Sequence, residues 1–332
     1  MNTGDFSSIL RGVALGVLAA AAFLGTACSS GNEPDGGATA SSSSSSSSSS
    51  TSGGGGAGGS DTASGGAGGS SSSGGPVCLG PGYGVPPVMK KVGLVTADVV
   101  DLEGKPAAEI VYEVCGENGC PNWLHANADG KGHIAAEAEG TELSDPVLIY
   151  GIGWESVQFA APLPTVPDAP FGKIHTARLP DYAKGVALEP GKEAHSGDVT
   201  LLPAPEAAIE LDLLQYEEDS QYVFRAVTIP VSGLSLPALD PALGLEVLFG
   251  LAPIKTFICP AAAMTVANVP GWPAGAAVEI FLHGTQLGEQ WAPFGGWAKV
   301  SDGKVSEDGK TVSTSPDGGI PELGIIGLRL KK

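Results

Sequence analysis

The stretch Ala277-Val278-Glu279-Ile280-Phe281-Leu282 puts Val278, Ile280 and Leu282 on one side of an extended strand and Glu279 on the other. Successive side chains of a strand point to opposite faces, so a period of two marks a half-buried strand. Val111-Tyr112-Glu113-Val114 reads the same way. Further short runs rich in β-branched and aromatic residues lie at Lys91–Val99, Glu109–Cys115, Trp123–Ala126, His133–Ala138, Val147–Ile152 and Ser156–Ala160. A second series lies at Ala208–Leu214, Tyr222–Ile229, Leu245–Leu251, Met264–Val269, Ala277–His283, Gly296–Val300, Thr311–Thr314 and Ile325–Leu330. Gly, Pro and Asp-Gly punctuation separates these runs. The 332 residues include 50 Gly and 26 Pro, which break helix interiors, and this region holds no sustained 3.6-residue period. The expected fold class is all-β, with two β-sandwich domains.

Charge narrows the function. Lys and Arg total 17 against 36 Asp and Glu, a formal −19, and Arg occurs only at Arg11, Arg178, Arg225 and Arg329. Nucleic-acid binding needs a basic face to neutralise phosphate, so it is excluded as a partner class. Residues 1–27 carry Asp5 and Arg11 and no net charge. Residues 28–77 carry Glu33, Asp35 and Asp61, and the remaining −16 falls on residues 78–332. The acidity belongs to the part expected to fold.

The N-terminus reads as an address. Val13 to Gly25 is an apolar run of 13 residues, about 20 Å as a helix and too short for a hydrocarbon core of about 30 Å. That length fits a signal-peptide core. Gly25-Thr26-Ala27-Cys28-Ser29 follows. It resembles a bacterial lipobox, with Gly25 standing where Leu is usual. The resemblance implies cleavage after Ala27, lipidation of Cys28, and sorting to the outer membrane by Ser29. The rival reading is an ordinary signal peptide cut near Ala27. Ser29 to Gly75 is almost entirely Ser, Gly and Ala, with unbroken Ser from Ser41 to Ser50. It cannot bury enough surface to offset the entropy of ordering and reads as a disordered tether. A flexible linker of about 50 residues reaches roughly 40 Å. The expected divisions are 1–27 signal peptide, 28–77 tether, 78–160 first β-sandwich, 161–205 Pro-rich connector and 206–332 second β-sandwich.

With Cys28 assigned to lipid, Cys78, Cys115, Cys120 and Cys259 remain, an even number in an exported chain. Three pairings are open. Cys115 and Cys120 flank a Gly-Glu-Asn-Gly turn and are favoured as one pair, which leaves Cys78 with Cys259. On the loop-entropy model the small ring contributes about 2 kcal/mol and the large one about 5 kcal/mol. The rival is a metal site from Cys115, Cys120, His125 and His133, whose spacing matches no common zinc pattern. No metal and no cofactor is expected.

No catalytic motif stands out. None of the five His lies in H-E-x-x-H, and the region from 78 onward has no G-x-S-x-G. His195-Ser196-Gly197-Asp198 has the residue types of a hydrolase triad but reads as a turn, because triad members converge from separate elements. Asn127-Ala128-Asp129-Gly130 reads as a hairpin turn rather than a calcium loop, since Lys131 and His133 occupy ligand positions. The binding hint is Trp291-Ala292-Pro293-Phe294-Gly295-Gly296-Trp297, where Trp291, Phe294 and Trp297 are candidate sugar-stacking or interface rings. Trp123, Trp154 and Trp272 read as packing residues.

Two resemblances add to this. Val92 to Val95, Asp101 to Val111 and Ala128 to Gly132 are similar to a carboxypeptidase-regulatory-like, transthyretin-like β-sandwich, a module that is a non-catalytic appendage in its family. Phe249 to Pro253, Asn268 to Gly271, Pro273 to Gly275 and Val305 to Gly309 resemble the C-terminal part of myxobacterial surface lipoproteins. Together they imply Ig-like or transthyretin-like sandwiches on an outer-membrane lipoprotein, periplasmic or surface-exposed. The expected function is non-enzymatic: adhesion, ligand binding or envelope support, with the membrane as partner through a lipid and an envelope protein or glycan as a further one. The alternatives are a carbohydrate-binding module using the aromatic loop, and a hydrolase with an unrecognised carboxylate site.

Overall fold

A computed structural model describes residues 78, 80–83, 86, 88–108, 110–121, 125–152, 156–211, 219–287 and 291–332. The signal peptide, Cys28, the Ser/Gly tether, Trp123 and Trp154 lie outside the described residues. Those that are described belong to one compact unit and are nearly all strand and turn.

The first part is a two-layer sandwich. Its strands are β1 (Met89–Val100), β2 (Val111–Cys115), β3 (His125–Asn127), β4 (His133–Ser144), β5 (Val147–Ile152), β6 (Phe159–Pro162) and β7 (Lys173–His175). One sheet runs β4-β1-β7 and the other β3-β2-β5-β6. Pairing is antiparallel except between β1 and β7, which run parallel over Asp98–Val100. Alternate residues of each sheet meet between them. Val95, Ala97, Val99, Ile134 and Ile174 of one layer share a cluster with Tyr112, Val114, Leu148, Tyr150 and Phe159 of the other.

The second part is a rolled sheet. Its strands are β8 (Val186–Ala187), β9 (Ala194–Ser196), β10 (Val199–Leu202), β11 (Ala208–Glu210), β12 (Val223–Pro230), β13 (Val247–Ala252), β14 (Phe257–Ala267), β15 (Ala277–His283), β16 (Trp297–Val305), β17 (Thr311–Thr314), β18 (Ile320–Glu322) and β19 (Ile325–Leu330). The order is β8-β12-β13-β19-β15-β16-β17-β14-β10-β9, with β11 and β18 flanking β14. The path comes back to its start. Ala226 N of β12 donates to Ser196 Oγ of β9 at 2.9 Å, and Thr228 Oγ1 donates to Asp198 Oδ2 at 2.7 Å. Side chains thus bridge the seam that a backbone ladder does not close. Val199, Leu201, Phe224, Phe249, Met264, Ile280 and Ile326 fill the interior.

The two parts share one wall. β13 is buried at all six positions. Val247, Phe249 and Leu251 point into the roll, whereas Leu248 and Ala252 join the sandwich cluster on the outer face. On β15, Ile280 and Leu282 face the roll and Phe281 faces out; on β19, Ile326 and Leu328 face in and Ile325 out. Strands buried on both faces read as continuous apolar runs, and Val-Leu-Phe-Gly-Leu-Ala at 247–252 is one. Gly250 and Gly327 open this wall on its outer side. A methyl at Gly250 would overlap Val157, and one at Gly327 would overlap the side chains of Leu245, Trp297 and Leu248.

The structure alters several expected bounds. β14 begins at Phe257, seven residues before the expected Met264, and β4 runs on to Ser144. β8, β9 and β10 lie within the stretch read as connector and pair into the rolled sheet, and β7 of the same stretch pairs with the sandwich. Of the run from Ala208 to Leu214, the described strand is Ala208–Glu210.

Gly327→Ala is expected to lower the unfolding free energy by about 1–3 kcal/mol in urea denaturation, because overpacking forces neighbours off their rotamers. An unchanged midpoint would show that Trp297 and Leu245 can give way.

Candidate functional site

The four cysteines form Cys78–Cys259 and Cys115–Cys120 disulfides, the pairs favoured from the sequence. This answers the metal question for one cluster. Glu113, Cys115 and Cys120 bring potential ligand atoms within 4.8 Å of one another. Sulfurs in a disulfide offer no thiolate, so that set and the wider one with His125 and His133 lack their strongest ligands. His133 instead places Nδ1 3.0 Å from Asp98 Oδ1.

The sequence motifs resolve as turns. Asp129 Oδ1 accepts the backbone N–H of Lys131 and of His133, each at 2.8 Å. These bonds, that of His133 first, hold its carboxyl below the usual range. Asp308 does the same with Ser306 Oγ and Lys310 N. His195, Ser196 and Asp198 span the β9–β10 hairpin around Gly197 and send their side chains to Thr200, Ala226 and Thr228 respectively. They do not converge.

The aromatic loop separates in space. Trp297 stacks on His283 at 4.7 Å between ring centroids, and its Nε1 donates to Ala238 O at 2.7 Å. Phe294 packs on a small cluster of Cys115, Val147, Ile149 and Ala160. Trp291 packs at the margin of the roll interior and lines a cleft. The three rings therefore make no common stacking face. Trp272 is buried, with Nε1 donating to Glu246 Oε2 at 3.0 Å.

The cleft that Trp291 lines has a volume of about 720 Å³, within the range of small-molecule sites. Its wall includes Cys78, which is bonded to Cys259, with Pro203, Pro260 and Pro316. Among the described residues that line it, Asp317 is the one charged side chain. Such a surface offers one ring face, rigid C–H edges and one carboxylate acceptor. It suits an uncharged or cationic ring-bearing ligand and opposes an anion. No local spacing reveals it, because its walls come from residues more than a hundred positions apart.

His283 and Glu322 are among the buried titratable groups of the described residues. His283, at the end of β15, is 1% exposed. Ala160 N donates to its Nε2 at 3.1 Å, and its Nδ1 lies 2.8 Å from Gly296 O. A carbonyl only accepts, so Nδ1 carries the hydrogen and the ring is neutral. It thereby joins β6 of the sandwich to β15 of the roll. Burial pushes its pKa down to about 4, against the pull of the Gly296 carbonyl. Glu322 in β18 is 2% exposed, and among the described residues its Oε2 has no hydrogen-bond partner. Burial pushes its pKa up to about 7, partly offset by the charge of Lys255.

No family model matches the chain, and no curated protein matches it. Among solved structures, a variant of the major pilin subunit BcpA of Bacillus cereus is similar over 72% of this chain and 88% of that chain, at 12% identity and a TM-score of 0.21.

The two buried groups act on stability in opposite senses. The unfolded state takes up the His283 proton below about 6.5, so that contribution is complete above 6.5 and is lost as pH falls towards 4. The folded state keeps the Glu322 proton up to about 7, so its contribution is present below 4.5 and is lost as pH rises to 7. Each is worth about 3 kcal/mol at full extent. Glu322→Gln is expected to make stability climb with pH between 4.5 and 6.5 more steeply than in the parent, measured by denaturant midpoints. Equal slopes in parent and variant would refute the assignment.

Proposed function

We propose that this chain is a non-enzymatic cell-envelope lipoprotein. Cys28 carries the lipid, the Ser/Gly tether holds the body away from the outer membrane, and the all-β body is displayed for adhesion, ligand binding or envelope support. The observation that carries this reading is the Cys78–Cys259 bond. Cys78 stands where the Ser/Gly tether ends, and the bond fixes that point to β14 inside the rolled sheet. Disulfides persist in oxidising compartments, which agrees with export. A net −16 on residues 78–332 keeps such a body soluble and away from anionic lipid. Radiolabelled palmitate is expected to label the full chain in a bacterial host and to leave Cys28→Ser unlabelled. Equal labelling of both would remove the anchor.

A second reading is favoured by the cleft: a module that binds a neutral saccharide, with Trp291 stacking on the sugar and Asp317 accepting its hydroxyls. On a glycan array, Trp291→Ala is expected to lose any signal of the parent while Phe294→Ala keeps it, since Phe294 faces a different cluster. An array silent for the parent, or a signal lost equally in both variants, counts against a sugar site in this cleft.

A further inference from the structure

Among the described residues, Asp-Gly pairs occur at Asp129, Asp302, Asp308 and Asp317. The first three spend their carboxylates locally. Asp129 accepts from the amides of Lys131 and His133, and Asp308 from Ser306 Oγ and Lys310 N. Asp302 pairs with Lys299 at 2.9 Å and with Lys331 at 3.2 Å. Asp317 differs: among the described residues its carboxylate has neither a hydrogen bond nor an ion pair. It lies on the wall of the cleft that Trp291 lines.

No cation beside that wall is free to neutralise it. Lys192 follows Gly191 of the wall and holds Glu189 at 2.6 Å. Lys299 precedes Val300 of the wall and is held by Glu279 at 3.2 Å as well as by Asp302. The net −16 on residues 78–332 adds a field of the same sign as Asp317.

Hydrogen-bond donors are scarce there. Pro203, Pro205, Pro260, Pro316 and Pro321 line the cleft, and proline has no N–H. The amide of Gly191 is spent on Pro203 O and that of Gly318 on Ser315 O. Among the described lining side chains, the indole N–H of Trp291 is the one donor, since Cys78 is in a disulfide and no Lys, Arg, His, amide or hydroxyl residue takes part. The cleft therefore accepts hydrogen bonds more readily than it gives them. A ligand that fits brings donors. An ammonium carries three donors and no acceptor, whereas an acetamide adds a carbonyl that this wall leaves unpaired.

We propose that the cleft takes an amino sugar, a saccharide whose protonated amine pairs with Asp317 while its ring lies against Trp291. This rests on the reading of the cleft as a sugar site and names the sugar's class. The prolines fix the wall before the ligand arrives, which lowers the ordering cost of binding. The volume of about 720 Å³ leaves room for a short oligosaccharide.

The test is calorimetric titration of the full chain with three trisaccharides of one linkage, built from glucosamine, N-acetylglucosamine and glucose. The glucosamine form is expected to bind about fivefold more tightly than either of the others, the size of an ion pair at an exposed carboxylate. Asp317→Asn, a surface change, is expected to remove that preference and leave the glucose form nearly unchanged. Trp291→Ala is expected to weaken all three. Equal affinities in the parent, a preference for the acetylated form, or a preference that survives Asp317→Asn would overturn the amine assignment and leave the sugar site standing. Undiminished binding of the glucosamine form by Trp291→Ala would also overturn it, because the acidic body at large would then be the attractant. No heat from any of the three up to about 10 mM would remove the sugar site and the amine assignment together.

Discussion

The fold depends on one shared wall. β13, β15 and β19 present apolar side chains to both sides, and neither side is complete without them. Leu248, Phe281 and Ile325 close the sandwich core; Phe249, Ile280 and Ile326 close the roll. Burying a side chain of this size contributes about 1.5–3 kcal/mol. A sheet apolar on both faces is insoluble alone, so the sandwich and the roll each supply the cover that the other needs. Small residues at Gly250 and Gly327 make the approach close, and His283 adds a directed bond across it. His283 is buried there with both ring nitrogens hydrogen-bonded, and burial disfavours its charged form.

Much of the fold was legible because short apolar or alternating runs stand between turn residues. Val147–Ile152, Ala277–His283, Thr311–Thr314 and Ile325–Leu330 begin and end where the pattern puts them. The misses share a cause. Lys173–His175, Ala194–Ser196 and Ile320–Glu322 are three residues each, too short for a period to be visible. The early half of β14 contains Cys259-Pro260-Ala261-Ala262-Ala263, residues with weak strand preference. That segment is extended because β11 and β18 flank it, a long-range effect that local composition does not carry.

The candidate site was less legible, for a geometric reason. Trp291, Phe294 and Trp297 are close in sequence, yet a turn sends neighbours in different directions, and each ring finds a different cluster. The cleft draws on Pro203, Pro260, Trp291 and Asp317, whose proximity arises only once the sheet has rolled. Nothing at His283 or Glu322 in the sequence separates them from surface residues. A polar side chain at the end of an apolar strand reads as a boundary, yet His283 lies buried where the sandwich meets the roll. The disulfides fared better because cysteine pairing needs only parity and one short turn.

The Cys78–Cys259 bond also makes the intervening chain a covalent ring, closed between cysteines 181 positions apart. A ring does not come apart when it is cut once. A protease that nicks the Pro-rich stretch at residues 161–170, or any loop between the two cysteines, produces two chain ends and no free fragment. The whole sandwich and the strands through β13 stay joined to the residues leading back to Cys28. One cut within the ring therefore changes the connectivity of the chain without changing its mass by more than one water.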